Sequence, residues 1–245
     1  MTLRAVTVDF WGTLLHDGPS SDNRYKRRRL TDFATILAGA GIKADGPALD
    51  RAYEKSGAWL SQVWSKNKDV PVADHVRAIL AAFDARLPER VDADVLEALV
   101  DAYARPALLV PPELDPGARP ALEALAARGL GLAVVSNTMR TPGATLKKLL
   151  ERHGLLRLFR RTTFSDEVGV RKPDPEIFAL TLRALGCEAV DAVHVGDDEV
   201  LDVRGARAAG MRVIQVTSAA GPGPQPPDAV IRTLAELPAA VAALG

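Results

Sequence analysis

The sequence predicts an α/β protein: a doubly wound parallel sheet with helices on both faces and an α-helical domain inserted after the first strand. Three observations carry this. From about Arg119 to the C-terminal end, strand-like apolar runs alternate with helical patterns. Each of those helical stretches ends at a glycine. Residues 16–110, by contrast, hold long amphipathic segments and hardly a strand signal, which is simplest as an insertion.

In order, the first strand is read at Leu3 to Phe10, an apolar run interrupted by Arg4, Thr7 and Asp9. The helical block follows, with segments at Lys26–Ala40, Pro47–Ser65, Val72–Ala85 and Ala93–Tyr103. Pro106, Pro111, Pro112 and Pro116 mark a return linker. A helix over Arg119–Ala127 stops at Gly129 and gives way to a strand at Leu130–Val135. Pro142–His153 is helical up to Gly154, and a weaker strand is read at Arg161–Phe164. A helix at Pro175–Leu185, ended by Gly186, leads to a strand at Ala192–Val195. Asp198–Ala209 reads as a helix ended by Gly210, before strands at Met211–Val216 and, more weakly, Ala229–Ile231. Gly221 to Pro227 is a biased segment, read as a surface loop.

Composition narrows the function. Of 245 residues, 31 are Lys or Arg and 31 Asp or Glu, so no long-range field gathers a polyanion. The balance holds within parts as well: residues 16–110 carry 14 basic and 14 acidic residues, leaving 17 of each elsewhere. Neither nucleic acid nor a membrane is an expected partner. One cysteine, Cys187, excludes an intrachain disulfide framework and a Cys-based zinc site. No apolar run approaches the roughly 18 residues of a membrane helix, and the first residues read as a strand rather than a secretory signal. A cytoplasmic enzyme or binding protein is the expectation.

Ligands of a doubly wound sheet collect at the carboxyl ends of its strands. Four polar sets fall there or in adjoining loops: Asp9-Phe-Trp-Gly-Thr-Leu14, Ser136-Asn137-Thr138, Gly169-Val-Arg-Lys172-Pro-Asp-Pro175, and Gly196-Asp197-Asp198-Glu-Val-Leu-Asp202. Each alone has an ordinary explanation as a turn residue, a helix cap or a solvated charge. Together, in this order, they supply what one active site requires. A carboxylate attacks well only where charge repulsion is relieved, which Lys172 and a hard cation can do for Asp9. Mg²⁺ takes oxygen ligands, and Asp9, Asp197 and Asp202 meet that demand.

The order and spacing of these four motifs resemble the haloacid dehalogenase superfamily of hydrolases across the whole chain. The resemblance implies a Rossmann-like core at residues 1–15 and 111–245 with a helical cap at 16–110. It makes Asp9 the nucleophile, with Ser136 and Lys172 holding the transferred phosphoryl oxygens. Thr13, Asn137 and Trp11 then adjoin the substrate, while Asp9, Asp197, Asp202 and the Trp11 backbone carbonyl form the Mg²⁺ end. Expected is a phosphatase acting on a small phosphorylated compound, as a monomer or homodimer.

One position departs from the phosphatase pattern. Most phosphatases of this family have a second Asp two residues after the nucleophile, where this chain has Trp11. That Asp protonates the leaving alkoxide and helps activate water. An indole N–H is a donor without accessible titration. Loss of general acid–base catalysis costs about 10²–10⁴ in rate, so weak activity on alkyl phosphates is expected. Dehalogenases of the family carry an aromatic residue here and work without metal. Metal-independent 2-haloacid hydrolysis is therefore the alternative, with Arg27 or Arg28 as candidates for the substrate carboxylate; a catalytically quiet ligand- or protein-binding relative is another. The acidic run at Asp197 to Asp202 favours the metal-dependent phosphatase, because clustered carboxylates repel unless a cation or proton relieves them.

Other features read as structural. The basic run Arg24 to Arg29 could reach over the site to bind an anionic substrate, but with Asp22 and Asp32 flanking it, it is taken as a solvated helix face. Trp59 and Trp64 belong to the insert's core or a pocket wall, and His194 is a hydrogen-bonded core histidine. His16 sits near the entrance without a nameable partner. Cys187 is inert, with Glu188 raising its pKa.

Overall fold

The computed structural model describes residues 2–18, 21–217 and 226–245. Its centre is a six-stranded parallel sheet of β1 (Ala5–Val8), β4 (Gly131–Ser136), β5 (Arg161–Phe164), β6 (Ala192–Gly196), β7 (Arg212–Val216) and β8 (Ala229–Ile231). The spatial order is β5-β4-β1-β6-β7-β8. Val8 lies opposite Val134 on one side and Val195 on the other. β1 is thus the point where the winding reverses, and the crevice beyond its carboxyl end is where such sheets bind ligands.

Alternation along the strands feeds two apolar layers. Val6, Val8, Leu132, Val134, Val193 and Val195 pack against α7 (Ala118–Ala127), α8 (Gly143–Arg152) and α12 (Leu237–Leu244). Ala5, Val135, Ala192 and Val213 face α10 (Pro175–Leu185) and α11 (Gly205–Ala208). The short α9 (Ser165–Val168) follows β5. β1 and β7 are shorter than their apolar runs, while β4 and β6 each extend one residue past theirs, to Ser136 and Gly196; Phe10, read as strand, sits fully buried in the turn after β1.

The helical insert comprises α1 (Ser21–Gly39), α2 (Gly46–Trp64), α3 (Val72–Phe83), α4 (Leu87–Arg90), α5 (Ala93–Ala104) and α6 (Pro106–Leu109). It has its own apolar cluster, built on Phe33, Leu37, Leu49, Ile79, Leu80, Leu99 and Tyr103. Asp45 and Asp92 cap α2 and α5, accepting from Ala48 N and Val95 N at 2.8 Å. Pro106, expected in a linker, opens α6, because a helix's first turn has no use for the missing N–H. The chain leaves and re-enters the core through an antiparallel pair, β2 (Leu15–His16) with β3 (Glu113–Leu114).

A second junction ties the insert to the core loop before Lys172. Lys68 forms an antiparallel bridge with Val170, and the Asp69 and Arg171 amides donate to Gly169 O and Asn67 O. Asp69 is buried there among four donors: Arg171 Nη1 at 2.7 Å, Ser165 Oγ at 2.5 Å, Trp64 Nε1 at 3.0 Å and its neighbour Val70 N at 2.9 Å. Trp64 is therefore a wall of the junction, whereas Trp59 is exposed.

Two expectations are corrected. The basic run is not wholly a solvated face: Arg29 is 3% exposed and donates to Tyr103 O, Tyr53 Oη and Arg140 O. The helix over Asp198–Ala209 is instead a π-helical turn, Glu199–Arg204, followed by α11. Asp198 O accepts from both Asp202 N and Val203 N, which widens the turn. Pro226 and Pro227 close the biased loop, of which residues 221–225 lie outside the described residues.

Removing one partner of a buried ion pair leaves an uncompensated charge and costs about 3–5 kcal/mol. Asp69→Ala is expected to lower the unfolding free energy measured by urea titration by that order, and an unchanged value would show that the insert is held by other contacts.

Candidate active site

The crevice beyond β1 brings together the four sequence motifs. Asp9 follows Val8 directly and is fixed by its own amide, which donates to Val195 O at 2.8 Å. The chain then turns sharply at Gly12, whose φ is 76°. A Cβ at Gly12 would lie 2.5 Å from the Asp197 carboxylate, so the turn requires glycine for both conformation and space. Thr13 Oγ1 donates to Asp197 Oδ1 at 3.3 Å, and Gln215 Nε2 holds the Asp197 carbonyl at 3.0 Å.

Lys172 reaches into the same place from the loop after α9. Its ammonium lies 2.5 Å from Asp9 Oδ1 and 2.6 Å from Asp202 Oδ1, all three side chains being buried. Asn137, at the end of β4, grips the Lys172 backbone both ways: Nδ2 donates to Lys172 O at 3.0 Å and Oδ1 accepts from Lys172 N at 2.9 Å. Its amide is thus engaged in placing the lysine. Ser136 is buried beside it, its hydroxyl in long contact with Asn137 O at 3.5 Å.

The π-helical turn brings Asp202 back to the sheet, where its Oδ2 accepts from Asp198 N at 3.0 Å and Oδ1 also meets His194 Nε2 at 2.9 Å. His194 Nδ1 in turn lies 2.8 Å from Thr7 Oγ1. His194 is the expected core histidine, but its partner is a site carboxylate. Asp198 caps the turn by accepting from Val200 N and Leu201 N. Gly196 has no room for a side chain against the Asp202 carboxyl group.

Oxygens of Asp9, Asp197 and Asp202 lie within 4.8 Å of one another. Their electrostatics differ. Burial pushes Asp9 above the usual carboxylate range, with Asp202 adding to the rise and Lys172 opposing it. Asp197 is pushed up to about 6 by burial and by repulsion from Asp9 and Asp202. Burial acts on Asp202 in the same sense, but Lys172 and His194 outweigh it and hold that group well below its ordinary value. Lys172 stays above its ordinary value although burial disfavours its charge, because Asp202 and Asp9 stabilise it. The cluster therefore has more negative charge than its lysine neutralises. Oxygen donors at this separation with that surplus fit a hard divalent cation such as Mg²⁺.

Trp11 stacks edge-on against Phe10, centroids 5.0 Å apart, and its buried indole N–H has no acceptor. With Gly12 it floors a cavity of about 690 Å³ between core and insert, walled by Arg29, Tyr53, Trp64 and Arg140 among others. Arg27 and Arg28 do not line this cavity; Arg28 is instead paired with Asp32 at 2.9 Å. His16, expected near the entrance, does line it, 3.8 Å from Asp115. Cys187 lies far back at the amino ends of the strands with Leu3 and Gly131, its thiol raised by burial first and by Asp191 and Glu188 after that.

A family model described as haloacid dehalogenase-like hydrolase matches residues 3–210. The chain belongs to that family. As a haloacid dehalogenase-like hydrolase it resembles a phosphoserine phosphatase of Thermus thermophilus, 36% identical over 243 residues and 93% of each chain. It is also 39% identical over 214 residues to a phosphoglycolate phosphatase of Rhodospirillum rubrum, covering 86% of this chain and 78% of the relative. Among solved structures, a 2-haloacid dehalogenase from Pseudomonas syringae superposes with a TM-score of 0.71 at 25% identity over the whole of both chains. No described helix of this haloacid dehalogenase-like hydrolase is long and apolar enough to cross a membrane.

Sequence reasoning missed Arg140, Asp69 and Arg171, and it placed Arg29 in a run taken as solvated. Arg171 stood inside a quoted motif and Arg140 four residues beyond Ser136, but neither position reveals a partner from the distant insert.

Replacing Lys172 by Met removes the charge that holds Asp202 low. That stabilisation is present above the ordinary carboxylate range and is lost as pH falls and the carboxylates protonate. Chemical denaturation in chelator is therefore expected to show a stability gap between Lys172→Met and the parent that is wide at neutral pH and narrows in acid. A gap that stays constant with pH would contradict this account.

Proposed function

We propose that the protein is a Mg²⁺-dependent phosphatase of small phosphate monoesters, with Asp9 as the nucleophile. The observation that carries this is the trio Asp9, Asp197 and Asp202 gathered around a buried lysine with negative charge in surplus. The phosphatases among the curated relatives support the same reading. Asp9, Asp197, Asp202 and the Trp11 carbonyl would hold the cation, which when bound supplies charge neutralisation for an anion-on-anion attack.

The residues divide the work as follows. An Asp9 carboxylate oxygen attacks phosphorus, the P–O ester bond breaks, and a phosphoaspartate forms as the alkoxide leaves. The Lys172 ammonium, already beside Asp9, relieves repulsion between carboxylate and phosphoryl group, with Ser136 donating to a phosphoryl oxygen. Asn137 keeps Lys172 in line, and Thr13 orients Asp197. His194 and Thr7 hold Asp202. Water then attacks the phosphoaspartate, releasing phosphate and restoring Asp9. The helical insert acts as a cap that screens this chemistry from bulk water. Trp11 has no proton to give the alkoxide, so leaving groups that are stable as anions are favoured: aryl oxides and acyl groups over sugar alkoxides.

The aromatic Trp11 and the likeness to a solved 2-haloacid dehalogenase favour a second reading, metal-independent dehalogenation through the same Asp9. The surplus of carboxylates weighs against it, since without a cation those charges oppose a 2-haloacid's own carboxylate.

Chelation is expected to abolish p-nitrophenyl phosphate hydrolysis, and Trp11→Asp to raise turnover of an alkyl phosphate by about 10²–10⁴. Phosphatase activity that survives chelation would overturn the metal dependence, and chloride release from 2-chloropropionate in chelator would overturn the proposal in favour of the second reading.

A further inference from the structure

The cavity above Trp11 contains two guanidinium groups that the proposed reaction at Asp9 does not use. Arg29 of α1 and Arg140, in the loop after β4, both line it. Arg29 is 3% exposed. Its three donor contacts go to neutral oxygens: Tyr103 O at 2.8 Å, Tyr53 Oη at 3.0 Å and Arg140 O at 2.7 Å. Arg140 is half-buried and makes only long contacts, to Tyr103 Oη at 3.2 Å, Tyr53 O at 3.3 Å and Ser56 Oγ at 3.5 Å. The ring of Tyr103 lies 4.4 Å beneath the Arg29 guanidinium, and that of Tyr53 4.0 Å beneath the Arg140 guanidinium. Among the described residues neither arginine has a carboxylate partner, although 14 Lys or Arg contacts with carboxylates are formed elsewhere.

Two like charges drawn into one partly desolvated place, with aromatic rings and neutral oxygens as neighbours, cost free energy unless an anion joins them. Two of the three acids on the cavity wall are engaged elsewhere. Glu54 is 2.5 Å from Lys26, and Asp17 accepts from Tyr25 Oη at 3.0 Å. Asp22 stands exposed in the first turn of α1. The buried Trp11 indole N–H has no acceptor, and Trp11 lines the same cavity. Planar, forked donors of this type match a carboxylate.

We infer that Arg29 and Arg140 form a carboxylate subsite, so that the preferred substrate is a phosphate monoester of a small hydroxy acid. The inference rests on the phosphatase reading for the position of the phosphate, at Asp9 and Lys172, but the subsite itself is a binding property. Trp11 lies between the two ends: its backbone follows the nucleophile's strand and its indole faces the cavity. Anchoring the organic part through its carboxylate places the scissile oxygen without calling on the missing acid, and so compensates in binding for part of what Trp11 forfeits in proton transfer.

The deciding experiment is calorimetric titration of an Asp9→Asn variant, with Mg²⁺ present, using two ligands of matched length: phosphoglycolate, which carries the carboxylate, and ethyl phosphate, which does not. Charge-assisted bonds of this type predict that phosphoglycolate binds about tenfold or more tightly than ethyl phosphate. Adding Arg140→Gln is expected to erase that preference, while Arg140→Lys, which keeps the charge but loses the fork, retains part of it. Equal affinities, no binding of phosphoglycolate, or a preference that survives Arg140→Gln would overturn the subsite. If Arg140 only braces the insert, its loss weakens both ligands alike. Turnover of p-nitrophenyl phosphate by the unaltered protein is scored separately, since its absence sinks the phosphatase reading while the titration still decides the subsite.

Discussion

The buried ammonium of Lys172, 2.5 Å from Asp9 and 2.6 Å from Asp202, is the contact on which the site's other geometry depends. Carboxylates from two different strand ends converge only because a cation lies between them; without it their repulsion and desolvation add. The lysine in turn has little freedom. Asn137 clasps its backbone, and the loop before it is bound to the helical insert through Asp69 and Arg171. Position, charge and closure of the insert therefore meet in one short loop.

The carboxylates do not share that lysine equally. Asp202, backed by His194 and Thr7, is the firmly ionised member and serves as a fixed counter-charge. Asp197 has Thr13 but no lysine contact, and its affinity for a proton rises. The three aspartates of the acidic run thus resolve into an anchored anion at Asp202, a helix cap at Asp198, and a group short of positive charge at Asp197. The surplus is what makes a cation the natural complement of the site.

Much of this was legible in the sequence. Strand runs and terminal glycines marked the sheet and its helices, because burial on both faces demands continuous apolar strands. Asp9, Lys172, Asp197 and Asp202 were legible because they sit at strand ends or in adjoining loops, where few residues compete as candidates. The π-helical turn was not, since its cause is a local sharing of Asp198 O that no apolar period records. Arg29 was hidden within a run of exposed basic residues. Only the fold reveals that its side of α1 meets Tyr103 and Arg140. Arg171 and Asp69 form a pair across more than a hundred positions, and a single chain carries no local trace of such a partner.

The β2–β3 pair has a consequence for how the chain is assembled. β1 must find β4 across a separation that spans the whole insert, from Ala5 to Gly131. Long separations slow folding through the entropy of closing the intervening loop. Here Leu15 and Leu114 are already side by side, and the segment between them condenses on its own apolar cluster. To the sheet, the insert then behaves as a compact bead on a hairpin: once it has collapsed, the distance β1 must search is set by the few residues on either side of that pair. Residues in the insert can thus vary with substrate without lengthening the route by which the nucleophile's strand reaches its place.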